Sequence, residues 1–318
     1  MFARVLGTVS ALLLVGGGLG LGLGLLGVFA WWLDLFAHFR LQYAGMFGLS
    51  LVLAGLARRG SLAATAALLL VAELALLAPY AISEERASVG APLRLAHLNV
   101  LTSNRQHAEV AAWIAGTGAD VVLLQEIDAR WATALATVPG YRAVDVLARP
   151  DNFGLAALVR EGSAVEVVAH ERPVFAGLPA LALQLRHEGR ALALLSLHTL
   201  PPVSRANAAT RDEQLRAAAD WSAAQVEAGR APVLLGDLNA TPFSAGVRPL
   251  RTVGLRDSLA PGGLLAAGSW PALPGPLRIA IDHCWHDAGL VTVRRVVGPA
   301  LGSDHRPLEV ALAWAAAP

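Results

Sequence analysis

The sequence predicts an α/β domain of two packed sheets covered by helices, preceded by an α-helical transmembrane region. Three observations carry that reading. Hydrophobicity is concentrated in the first 82 residues. After Pro92, short apolar runs alternate with amphipathic ones. Those apolar runs end abruptly in carboxylate, amide or imidazole side chains. Apolar runs bounded by Gly and Pro are strand signals, and helical patterns between them call for layered sheets.

Composition narrows the class. Of 318 residues, 55% are hydrophobic and 15% charged, against ~25% charged in an average globular chain. A disordered chain is polar and charge-rich, so disorder is excluded. Basic residues number 25 and acidic residues 24, which lacks the cationic excess of a strong nucleic-acid binder. The single cysteine, Cys284, excludes a disulfide scaffold and Cys-rich zinc sites. Every basic residue is Arg, so a Walker-type phosphate loop lacks its Lys. Arg-only usage with abundant Ala, Leu and Gly suits a GC-rich bacterial genome.

The membrane region is expected over residues 1–83, with spans at 5–33, 41–57 and 61–82. A span needs ~20 mostly apolar residues, with ~17 as the lower limit. No charge interrupts Val5–Leu33, and only Glu73 interrupts Gly60–Ser83. The middle run is short and holds Gln42 and Ser50. A cleaved signal peptide is the rival for the first run, but that run is long, two apolar runs follow it, and it has no A-x-A site. Arg4, Arg58 and Arg59 belong in the cytoplasm by the positive-inside rule. Three spans then put the rest of the chain outside it, as a multi-pass protein of the bacterial inner membrane. Arg40 falls on the outer loop beside the aromatic belt of Trp31, Trp32 and Tyr43. Gly16, Gly20 and Gly24 share one helix face, which favours packing within the chain over a homodimer interface. Glu73 needs a partner or water inside the span.

Residues 84–92 read as a polar linker, and 93–318 as a soluble α/β domain. Runs 93–100, 120–127, 231–239, 277–285, 290–297 and 305–314 read as strands, with shorter strand-like runs between 154 and 198. Residues 108–116 read as a helix. Ser204 caps a long helix that Gly229 closes. After residue 92 the basic and acidic residues number 20 each, so this domain is formally neutral.

The polar exceptions stand at strand ends: Asn99, Gln125-Glu126, His198, Asp237 with Asn239, Asp282, and Ser303-Asp304-His305. Ligands of α/β sheets bind outside strand ends. Asp and Glu oxygens with few thiols suit a hard cation such as Mg²⁺ or Mn²⁺. Alone, each has a structural alternative. Asp237 and Asn239 also make an Asx turn, Asn99 a strand cap, and His198 a core histidine. His97, His283 and His286 carry no motif and are expected to be structural. Ser303, Asp304 and His305 are adjacent on extended chain and point to opposite sides, so they make no Ser-His-Asp relay.

The ordered set NVL, LLQEID, LHTLPP, VLLGDLNATP, IDHCW and GSDHRPL resembles the endonuclease/exonuclease/phosphatase (DNase I-like) superfamily over residues 93–316. The resemblance implies a four-layer αββα sandwich and metal-dependent hydrolysis of a phosphate ester. By position, Glu126 is then the main Mg²⁺ ligand, with Asn99 and Asp304 near the same ion. Asp237 orients or deprotonates the attacking water, and Asn239 holds the phosphate or a second metal. His305 binds the phosphoryl oxygen, Asp282 orients that imidazole, and His198 stands at the phosphate. Asn152, before the 154–160 run, is a further candidate to approach it but is not counted among the site residues. The multi-span N-terminus with HTLPPV and GDLNATP is similar to a membrane-anchored bacterial branch of the superfamily.

The rest of the chain bears on the substrate. A neutral domain disfavours sequence-independent DNA binding, which relies on neutralising phosphates. Tethering to the bilayer raises the local concentration of lipid substrates. The expectation is therefore a lipid phosphate at the extracytoplasmic face. The alternatives are a nuclease acting on DNA or RNA, marked by an Arg-lined groove beside Asp237, and a catalytically inactive membrane scaffold.

Overall fold

The fold is described by a computed structural model covering residues 1–81, 87–259, 263–273 and 275–316. Four helices come first: α1 (Phe2–Leu25), α2 (Trp31–Ala37), α3 (Arg40–Leu56) and α4 (Gly60–Ala81). α1 and α4 are each long and apolar enough to cross a membrane, whereas α2 and α3 qualify only as a pair bent by 55°. The run expected as one span over 5–33 therefore breaks after Leu25. A turn over 26–29 follows, extended Ala30 precedes α2, and Asp34 in the first turn of α2 suits a helix N-terminus.

Helix packing follows the small residues. A side chain at Gly20 would collide with the Tyr43 ring, so glycine lets α1 lie against α3 within the chain. Arg40 does not stay on an outer loop. It starts α3, and its Nε donates to Glu73 Oε1 at 2.7 Å and its Nη2 to Oε2 at 3.2 Å. This buried pair supplies the partner that Glu73 requires.

The strands are β1 (Ser88–Asn99), β2 (Val121–Gln125), β3 (Tyr141–Leu147), β4 (Leu155–Arg160), β5 (Glu166–Glu171), β6 (Val174–Phe175), β7 (Leu178–Pro179), β8 (Leu181–His187), β9 (Arg190–Ser196), β10 (Ala231–Asp237), β11 (Arg256–Asp257), β12 (Asp282–His286), β13 (Leu290–Val297) and β14 (Leu308–Ala315). The later helices are α5 (His107–Thr117), α6 (Ala129–Leu135), α7 (Arg205–Glu227) and α8 (Arg248–Thr252). β1 begins inside the stretch read as linker, because Ser88 and Val89 pair with Ala315 and Trp314. Residues 84–86 of that stretch lie outside the described residues.

Two six-stranded sheets form, in the orders β13-β14-β1-β2-β4-β3 and β11-β12-β10-β9-β8-β5. Alternate residues of facing strands, such as Leu95, Leu123, Leu194, Leu235 and Cys284, fill the space between them. α5 and α6 cover the first sheet through Val110, Ile114 and Trp131. α7 and α8 cover the second through Leu215, Ala218 and Leu250. The result is the αββα sandwich that the sequence leads one to expect. Ser204 caps α7 by accepting from Asn207 N, a contact worth ~1 kcal/mol.

The N-terminal helices contact the sandwich through α2, α3 and α4. His38 Nδ1 lies 3.0 Å from Thr241 Oγ1. Gln42 Nε2 donates to the carbonyls of Pro276 (2.9 Å) and Arg278 (3.1 Å). Tyr80 packs edge-on against Phe243, with ring centroids 4.9 Å apart. Thr241 and Phe243 follow β10, and Pro276 and Arg278 precede β12, the two strands that carry Asp237 and Asp282.

Candidate active site

Strand parity builds the site. On β1 the inter-sheet face reads Leu93, Leu95, His97, Asn99; on β10 it reads Val233, Leu235, Asp237. Polar residues thus continue the buried face to the mouth of the sandwich, where Asp237 sits opposite Asp282 on β12. Gly236 permits the approach. A Cβ there would run into Leu197 O and Gln125 Nε2. Gln125 locks this crossing, accepting from Asp237 N at 3.1 Å and donating to Leu197 O at 2.9 Å.

Asn99, Glu126 and Asp237 meet. Asn99 Nδ2 donates to Glu126 Oε1 (3.0 Å) and to Asp237 Oδ2 (3.3 Å). Thr102 N also donates to Glu126 Oε2 at 3.1 Å. Glu126 and Asn239 both hold left-handed backbone, at φ 63° and 45°. Such strain persists where surroundings enforce it, and it clusters at functional sites. Asn239 N donates to Asp237 Oδ1 at 2.9 Å, and its Nδ2 donates to Thr199 O at 2.8 Å.

The imidazoles form the opposite wall. His305 Nδ1 donates to Asp282 Oδ2 at 2.9 Å, and its Nε2 lies 3.5 Å from Asp237 Oδ2. Burial alone would lower the His305 pKa, but the carboxylates of Asp282 and Asp237 outweigh it and push the pKa up to about 10. Burial opposes ionisation of Asp282, yet His305 and His97 hold it well below the usual carboxylate range. Burial raises Asp237, and His305 only partly offsets that. Burial lowers His198, which therefore stands as a neutral imidazole 3.7 Å from Asp237 Oδ2. Its Nδ1 is buried with no hydrogen-bond partner among the described residues.

Asp304 is exposed, and its Oδ2 accepts from Trp270 Nε1 at 3.0 Å. One sequence expectation changes here: His97, read as structural, belongs to the site. Its Nε2 donates to Asp282 Oδ1 at 2.9 Å, so Asp282 holds two imidazoles at once. The missed signal was parity, since His97 shares the face of Asn99. Asn152 is exposed and accepts from Thr102 Oγ1 at 2.9 Å, at the edge of the site. His283 is structural, contacting Asp257 Oδ2 (3.2 Å) and the Ala240 carbonyl (2.9 Å). Cys284 is a small core residue whose thiol burial pushes up in pKa.

Candidate ligand atoms of Asp237, Asp282 and His305 lie within 4.8 Å of one another. Both Asp282 oxygens are committed to imidazoles, so this triad works as a hydrogen-bonded relay. A hard cation fits better beside Glu126. There one neutral amide separates two carboxylates, and oxygen donors dominate. Glu126 with Asn99 would hold a divalent ion, which supplies Lewis-acid stabilisation of charge on a phosphoryl oxygen when bound.

The profile of the Endonuclease/Exonuclease/phosphatase family matches residues 96–305. Solved structures share the fold. The human Nocturnin catalytic domain with bound sulfate aligns at TM-score 0.56 and 17% identity, covering 72% of this chain and 97% of that one. A Bacteroides thetaiotaomicron mannosyl-6-phosphatase aligns at 0.57 and 15%, covering 70% and 100%. D. rerio TDP2 complexed with single-strand DNA product aligns at 0.57 and 17%, covering 70% and 99%. Comparison with curated proteins found no match.

Proposed function

Because the chain belongs to the endonuclease/exonuclease/phosphatase family, hydrolases of phosphate-ester bonds, we propose that it is a membrane-anchored, divalent-metal-dependent phosphoesterase. Its substrate is a lipid phosphate at the extracytoplasmic face of a bacterial inner membrane. Asp237 receives the proton of the attacking water; burial raises its pKa and makes it a better acceptor than an ordinary carboxylate. His305, cationic against Asp282, donates to the phosphoryl oxygen as charge develops there. His198 and Asn239 position the phosphate. Glu126 and Asn99 hold the cation, Mg²⁺ or Mn²⁺.

The observation that supports a lipid is the rim. Trp270, Leu273 and Leu277 are exposed apolar side chains on the segment before β12. That segment is held from two sides. Trp270 Nε1 and Ala272 N donate to the side chain and backbone of Asp304, the neighbour of His305. Gln42 of α3 donates to Pro276 and Arg278 carbonyls. An apolar edge is thus pinned between a membrane-region helix and the loop that carries Asp304 and His305, which suits a substrate presented from a bilayer. Orientation has its own support. Arg4 and Arg59 line one cavity at the end of the helices remote from the sandwich, as a cytoplasmic basic cluster requires.

The test uses full-length protein in detergent. Mg²⁺-dependent hydrolysis of a polyprenyl diphosphate or phospholipid is compared with cleavage of plasmid DNA, with Asp237→Asn as control. Lipid hydrolysis lost in the variant supports the reading. DNA cleavage lost in the variant, with lipid untouched, overturns it.

A further inference from the structure

A second cavity, of about 570 Å³, lies away from the catalytic cluster between α7 and the turn that follows α1. One wall is cationic. Arg205 and Arg216 are eleven residues apart on α7, which is three helical turns and so one face. Both are exposed, and neither has an acidic partner among the described residues. Arg211, at the floor, is buried and already matched by Asp34 Oδ2 at 3.1 Å and Asp212 Oδ1 at 2.8 Å. The lining thus holds three Arg and two Asp and keeps a net charge of +1, with Arg205 and Arg216 its exposed basic groups. The other wall is apolar. Phe29 is 78% and Trp32 49% exposed, beside the end of α1 where it leaves the span.

We propose that this cavity is a binding site for the phosphate headgroup of an anionic bilayer lipid, separate from the substrate. The headgroup phosphate lies between Arg205 and Arg216, whose guanidinium groups suit phosphate oxygens. The glycerol and first methylenes lie along Phe29 and Trp32, rings that favour the headgroup level. Arg211 links the site to the loop after β10, since its Nη1 donates to the Asn239 carbonyl at 3.4 Å. The inference rests on the membrane reading of α1 and not on the identity of the substrate.

Native mass spectrometry of the full-length Asp237→Asn protein in detergent tests it, because lipid turnover is then removed from the readout. Dioleoyl phosphatidylglycerol is titrated against dioleoyl phosphatidylcholine. One phosphatidylglycerol should be retained with a preference of about tenfold or more, from two basic side chains at a membrane surface. Arg205→Gln/Arg216→Gln should remove the preference, and Arg205→Lys/Arg216→Lys should keep part of it. Millimolar inorganic phosphate should not displace the lipid, because the aromatic wall contributes. Equal retention of the two lipids, or an unchanged preference in the Gln variant, overturns the site. Displacement by phosphate overturns the lipid assignment in favour of a free-anion site. Failure of lipid hydrolysis by the unmodified protein would leave all of these outcomes readable.

Discussion

Ser244 Oγ donates to Asp34 Oδ2 at 2.6 Å, across 210 residues of sequence. Ala245 N donates to Asp34 Oδ1 at 2.8 Å, and Arg211 Nη2 donates to Oδ2 at 3.1 Å. A carboxylate on α2, outside the sandwich, therefore caps the loop that leaves the Asp237 strand. Arg211 ties the same carboxylate to the Asn239 carbonyl. Asp34→Ala leaves Arg211 buried beside the half-buried Asp212 alone. Breaking a buried pair this way costs about 3–5 kcal/mol. Asp34→Asn keeps the shape and weakens the anchor. Its turnover is expected to fall about tenfold or more through loop misplacement, with metal affinity unchanged. A kcat equal to that of the unmodified protein would refute the role of the anchor.

Asp237→Asn separates activity from stability. Burial raises the Asp237 pKa, so ionised Asp237 is less favourable in the fold than in the unfolded chain at neutral pH. A neutral amide relieves that. The variant is expected to lose turnover by about 10²-fold or more. Its thermal midpoint in chelator at pH 7.5 should rise above that of the unmodified protein. A lower midpoint contradicts the assigned direction.

Asp282 holds His305 on one oxygen and His97 on the other. Asp282→Asn should lower turnover by about 10²–10⁴-fold, because the imidazole loses its orienting charge. His97→Gln should lower it about tenfold and shift the alkaline limb of the pH–rate profile, since Asp282 then serves one imidazole. An unchanged profile would mean that His97 only fills space.

The His305 pKa is raised from 6.5 to about 10, which fixes a stability window. A raised imidazole pKa contributes stability that is complete below the unfolded value and fades as pH rises through the folded one. Comparing thermal midpoints of the unmodified protein and His305→Gln between pH 6 and pH 10.5, the gap should be widest near pH 6. It should close toward pH 10. A gap that widens with pH would reverse the assignment.

Glu126→Ala should abolish metal dependence and activity together, whereas Asp304→Ala should spare metal affinity. Asp304 is turned toward Trp270. Isothermal titration with Mn²⁺ distinguishes the two. Equal loss of affinity in both variants would return Asp304 to the metal site.

What the sequence disclosed depended on how local each signal was. Asn99, Glu126, Asp237, Asp282 and His305 interrupt apolar runs at strand mouths, so one strand at a time reveals them. His97 lies within an apolar run and emerges only when its face is matched to Asn99. The fate of Asp304 depends on Trp270, 34 residues away, and nothing local fixes that turn. The break after Leu25 was hidden because the residues on both sides are equally apolar. The contacts of Asp34 and His38 with the loop after β10 span 203 to 211 residues and leave no periodicity in either segment.

The contact between His38 and Thr241 has a consequence for how such a chain can evolve. An anchor that merely tethers can be exchanged by recombination at the linker, and the enzyme would keep working on its new stalk. Here a crossover between residues 82 and 87 would separate His38 from Thr241, Gln42 from the Pro276 carbonyl and Asp34 from Ser244 in one event. The two halves are therefore bound to be inherited together, and substitutions in α2 must be answered by substitutions in the loop after β10.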